Sequence, residues 1–83
     1  MEIKRIKDHY VISDVNQLEL QIIGDAFSMA RANLAELLKM KDDDIVKSFK
    51  ITEDKLFLYK SSFKRNFEFF DKHFKKIMSY VSS

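Results

Sequence analysis

The pattern of apolar and polar positions divides the chain into a short extended start and two long helical stretches. Residues 8–13, "DHYVIS", join an aromatic to β-branched residues at Tyr10, Val11 and Ile12, and predict a strand. "SDVNQ" follows with helix-start chemistry: Asp14 with Gln17, or Asn16 with Glu19, can form a capping box.

From about residue 15 to 40 the spacing is helical. Leu20, Ile23, Phe27, Ala30, Leu34 and Leu38 recur every three or four residues and make one apolar stripe. Ile22, Ala26, Met29, Leu37 and Met40 make a second stripe beside it, interrupted by Asn33. Gln21, Asp25, Ser28, Arg31, Glu36 and Lys39 occupy the remaining face. A helix apolar over so much of its girth needs cover from two sides. One cover is the other long helix. The second is a small sheet or a second copy of the chain, with Ile22, Ala26, Met29 and Met40 as the interface. Gly24, Ala26 and Ala30 allow a neighbour to approach closely; Gly24 is either such a contact or a tolerated helix defect.

"KDDDI" interrupts the periodicity at 41–45. Beyond it two readings compete. As a hairpin, "SFKIT-ED-KLFLY" places Phe49 and Ile51 on one face with Leu56 and Leu58, in period two. Its turn lacks Asn-Gly or Asp-Gly. As helix, Thr52 becomes an N-cap, and Leu56, Tyr59, Phe63, Phe67, Phe70, Phe74, Ile77 and Val81 form one seam. The hairpin, at about 47–59, is the preferred reading, because it gives the N-terminal strand a partner and covers the second stripe.

A second helix over about 62–81 holds in either case, with Ser61 or Ser62 as its cap in the hairpin reading. Phe63, Phe67, Phe70, Phe74, Ile77 and Val81 face the first helix as core. Phe69 and Tyr80 lie off that face, on an outer stripe with Arg65, Lys72, His73 and Lys76. Interleaved rings and cations suit an acidic protein groove. They also suit phosphates and stacked bases. The plainer alternative is a solvated basic face, with Phe69 under a neighbour.

The expected fold is therefore helix-dominated α+β: two long antiparallel helices, a short N-terminal strand and a β-hairpin, in a single domain spanning 1–83. The alternative is an all-α helical hairpin that dimerises through its first helix.

Charge sharpens the picture. The net charge is +2. Residues 1–54 carry eight Lys/Arg against eleven Asp/Glu, and residues 55–83 carry seven against two. The basic C-terminal third can meet phosphates, an acidic protein, or the acidic half of a second copy.

Candidate chemistry is sparse. With no Cys, disulfides and thiolate metal sites are excluded, in keeping with a reducing cytoplasm. A single Gly excludes a P-loop or dinucleotide fingerprint. No G-x-S-x-G occurs. Asp42, Asp43 and Asp44 lack the ligand spacing and glycine of a calcium loop, and read as a helix boundary. His9 and His73 have no metal-ligand spacing. No cofactor or metal is expected. "MEIKRIKD" has no apolar core of a signal peptide, and no run approaches a membrane span. Residues 34–50 also have the apolar spacing of a helix-turn-helix, anchored by Ile45, Val46 and Phe49, but three aspartates leading the second helix would repel DNA.

The sequence thus points to a non-enzymatic, homo-oligomeric regulator or inhibitor that docks on a larger protein. Nucleic-acid or nucleotide binding through the basic-aromatic stripe is the competing reading. Frequent Lys, Ile, Asp and Phe suggest an AT-rich genome, such as that of a low-GC bacterium or its phage.

Overall fold

A computed structural model describes residues 1–81. The order is β1 (Glu2–Ile6), β2 (His9–Ser13), α1 (Gln17–Lys39), α2 (Asp42–Phe49), a single 3₁₀ turn (Glu53–Lys55) and α3 (Leu56–Val81). The fold is helix-dominated α+β. The helices α1 and α3 run antiparallel: Gln17 lies by Val81, Arg31 by Asp71, and Leu38 by Leu56.

The helix start at α1 is built as a complete capping box. The Asn16 side chain accepts from the Glu19 N–H at 2.8 Å, and the Glu19 carboxylate accepts from the Asn16 N–H at 3.1 Å. Of the two boxes the sequence offers, this one forms. Asp14 instead takes a left-handed conformation (φ 54°) that turns the chain from strand into helix.

The seam between α1 and α3 is aromatic. Phe27 meets Phe70 edge-on at 5.1 Å. Arg31 spans the seam, bonded to Asp71 at 3.0 Å with its guanidinium 4.2 Å from the Phe74 ring centre. Gly24 is buried, and a Cβ there would sit 3.2 Å from Ile77 Cγ2, so it marks a close approach of the helices. At the far end α2 folds back. Ile45 is 1 % exposed, and Phe49 stacks at 5.6 Å on Tyr59 and 5.5 Å on Phe63. Ile45, Phe63 and Gly24 are the only described residues that are buried.

Two expectations are corrected. The β-hairpin lies at 2–13, not at 47–59. Residues 42–49 form α2 because three aspartates sit in its first turn, where the helix dipole favours them. The helix then stops at Lys50, which is left-handed (φ 54°, ψ 47°). Thr52 starts the 3₁₀ turn, donating its hydroxyl to Asp54. Helix α3 accordingly begins at Leu56, six residues before the expected start, and Ser61 and Ser62 lie inside it rather than capping it. The single seam from Leu56 to Val81 prevails over period two because it lets Phe49 pack on Tyr59 and Phe63.

The N-terminal strand does find a partner, but from its own flank. β1 and β2 are antiparallel, with Ile3 opposite Ile12, Lys4 opposite Val11 and Arg5 opposite Tyr10. The hairpin does not cover the second stripe of α1. Every residue of both strands is exposed except Ser13, which is intermediate.

Candidate interaction surfaces

The molecule is one helical layer with both faces open. Its extents are 44 × 33 × 16 Å. Its radius of gyration is 16.2 Å, against about 12 Å for a compact chain of this length. A stable domain normally packs two layers around a core; here the buried apolar side chains among the described residues are Ile45 and Phe63.

Helical geometry decides how the sequence-predicted residues are grouped. The Arg31–Asp71 pair marks one side of the helix pair. On α3, Arg65, Phe69, Lys72, His73, Lys76 and Tyr80 lie roughly 100–180° around from Asp71. On α1, Ile22, Ala26 and Met29 lie roughly 140–180° around from Arg31. Both stripes therefore emerge on the same side, away from the ion pair. Met40 is the exception: it caps the end of α1 in an extended conformation and is half-buried.

The α1 part of this face is bare. Ile22 is 59 % and Met29 68 % exposed, Ala26 is exposed, and Leu18 extends the apolar strip toward the helix start. On α3, Phe69 leans across the seam flank, 6.2 Å from Phe27 and 5.4 Å from Phe70, yet remains half-exposed. His73 packs on it at 4.4 Å. The Lys76 ammonium lies 5.4 Å from the Tyr80 ring centre. Arg65, Lys72 and Lys76 form no ion pair with an acidic side chain among the described residues. Their charge is available to a partner, and the rings between them supply apolar contact.

Some acidic groups are engaged within the chain. Asp71 is held below the usual carboxylate value by Lys75 first and Arg31 second. Lys75 and Arg31 both reach it at 3.0 Å. Glu19 is likewise lowered, chiefly by the Asn16 N–H and then by the Met1 amine at 3.1 Å. Asp42 pairs with Lys60 at 2.9 Å, which ties α2 to α3. His9 lies 3.4 Å from the Asp8 carboxylate in the exposed hairpin turn. Among the described residues no three acidic or histidine side chains converge to hold a metal, and no helix is long and apolar enough to cross a membrane.

Two apolar surfaces escape the helical pattern of the sequence. One is an open groove of about 580 Å³ where α3 begins, lined by Leu38, Leu56 and the 76 %-exposed Phe57, with Lys60 and Lys64 at its rim. The other is the hairpin, where Ile3, Ile6, Tyr10 and Ile12 are more than half exposed. Phe57 lies outside the apolar seam of α3, and β1 shows no apolar alternation because Ile3 and Ile6, three apart, point to opposite faces. No protein-family model, curated protein or solved structure matches this chain.

Proposed function

We propose that this chain is a non-enzymatic interaction protein, a small homo-oligomeric regulator or inhibitor that docks on a larger protein in the cytoplasm. One observation carries the reading. The chain exposes 6810 Å², where a compact monomer of its mass exposes about 5,200 Å². The excess is about 1,600 Å² per chain, the scale of surface that an obligate dimer buries. Ile22, Ala26, Met29 and Met40 are assigned to self-association. Arg65, Phe69, Lys72, His73, Lys76 and Tyr80 are assigned to the larger partner, with Phe69 as the apolar anchor and the cations selecting an acidic surface.

The unpaired cations among rings also favour a second reading, in which the α3 stripe neutralises phosphates and stacks bases. A salt titration with short DNA and RNA, alongside a pull-down from the native host, separates the two. The protein-docking reading predicts a partner captured by the wild type, lost with Lys72→Glu/Lys76→Glu, and no salt-steep binding to either nucleic acid. Binding of DNA or RNA with a steep salt slope, abolished by the same double variant, replaces it with the second reading. Capture unchanged by the double variant removes the α3 stripe from the site.

A further inference from the structure

The hairpin is an unfinished sheet. Two strands alone are marginal in water, whereas a sheet of three or more with an apolar face is independently stable. Neither face of this one is covered by the helices, as its exposure shows.

The register fixes which backbone groups are open. Lys7 and Asp8 form a two-residue turn, so Ile6 and His9 are the closing hydrogen-bonded pair. Hydrogen-bonded and non-hydrogen-bonded pairs alternate along an antiparallel ladder. His9, Val11 and Ser13 therefore turn their N–H and C=O groups inward to β1. Tyr10 and Ile12 turn theirs outward, to the free edge of β2. Neither Tyr10 nor Ile12 has a backbone bond to any other part of the described chain.

The two edges differ in protection. β1 reads Glu-Ile-Lys-Arg-Ile, with three charged side chains of the kind that blunt an edge. β2 reads His-Tyr-Val-Ile-Ser, with no Lys, Arg, Asp, Glu or Pro. It is an edge with high strand propensity and no deterrent.

We propose that β2 is a dimerisation edge, pairing antiparallel with β2 of a second copy about a two-fold axis at Val11. This rests on the self-association reading and names a surface which that reading did not include. The register is the one that uses every outward group. Tyr10 faces Ile12 of the second copy, and each N–H donates to the other's carbonyl, giving four bonds across the axis. Val11 then faces Val11 of the second copy in a non-hydrogen-bonded pair. On one side of the resulting four-stranded sheet, Ile3, Tyr10 and Ile12 of both copies join into one apolar surface. Pairing sets the exposed Tyr10, Val11 and Ile12 of one copy beside those of the other.

Single cysteines and single prolines test this in a chain that has no native Cys. In Val11→Cys the two thiols meet across the axis, with Cα atoms about 4.5 Å apart, within disulfide reach. In Lys4→Cys the residue is on the same face but three strand spacings from its counterpart, roughly 14 Å. Mild oxidation is expected to convert Val11→Cys to a covalent dimer and leave Lys4→Cys a monomer on a non-reducing gel. Ile12→Pro removes an outward N–H from β2, and is expected to weaken self-association by about 30-fold or more. Ile3→Pro removes the outward N–H of Ile3 itself, on the opposite edge of the hairpin, and leaves association unchanged.

Sedimentation of the wild type distinguishes the two possible failures. A monomeric wild type overturns both the self-association reading and this interface. A wild type that self-associates, while Val11→Cys fails to cross-link or folded Ile12→Pro associates as well as Ile3→Pro, overturns the β2 edge alone. Should Ile12→Pro lose its helical circular dichroism, the cysteine pair alone decides.

Discussion

Single residues here carry conformational and electrostatic roles that can be separated by substitution. Lys50 ends α2 in the left-handed region, which costs an L side chain about 1 kcal/mol or more and glycine almost nothing. Lys50→Gly is therefore expected to stabilise the fold by about 0.5–1 kcal/mol, raising Tm by a few degrees at fixed protein concentration. A lowered Tm would show that the Lys50 side chain contributes more than its backbone costs. Glu19 supports a pH prediction. Its folded pKa is depressed below the ordinary 4.5 by the Asn16 N–H and the Met1 amine. The stabilisation from its charge is thus complete above the unfolded value and disappears as pH falls through the lowered folded one. The difference in Tm between wild type and Glu19→Gln should be steady from neutral pH to about 4.5 and shrink below it. A difference still undiminished at the acid end would assign the effect to shape rather than charge.

At the scale of elements, packing of α1 on α3 depends on Gly24. A valine there must place branched carbons where Ile77 already sits, since even a Cβ would come within 3.2 Å. Gly24→Val is expected to destabilise by about 1–3 kcal/mol, read as a shifted denaturant midpoint, whereas Ala32→Val on the exposed face costs far less. Equal losses from the two would mean that β-branching, not the close approach, is responsible. Much of this scale was legible in the sequence. The two long helices and the Phe63–Phe70–Phe74 seam follow from spacing that only a helix satisfies, and the Asn16–Glu19 box is one of the two that the sequence offers. The region 47–59 was not legible in the same way. Phe49, Ile51, Leu56 and Leu58 fit period two, while Leu56, Tyr59 and Phe63 fit the helical period. The choice depends on Phe49 reaching Tyr59 and Phe63, a contact that local pattern does not encode. β1 was missed for the complementary reason: its isoleucines are three apart and charged residues fill the gaps, so its pairing depends on the turn at Lys7 and Asp8. The two candidate stripes were legible from spacing, yet their convergence on one side emerged only from the Arg31–Asp71 pair, which fixes the rotation of each helix.

For the whole molecule, the decisive quantity is surface. A molecule with a shortest extent of 16 Å encloses only a small core, here Ile45 and Phe63. Ile22, Met29, Phe57 and Tyr10 are each more than half exposed, spread over both ends. The charge is divided as well, acidic in residues 1–54 and basic in 55–83. Antiparallel copies would set opposite charges against each other, with attraction that weakens as salt rises. The central claim is that one chain exposes more surface than a compact monomer of its mass and that a second copy covers part of it. Sedimentation equilibrium of the wild-type chain over a wide concentration range tests it most directly. The account predicts a mass at least twice the 9.9 kDa of the chain at micromolar concentration, falling toward the monomer on dilution. A folded species of 9.9 kDa that persists at about a hundred times that concentration would contradict it.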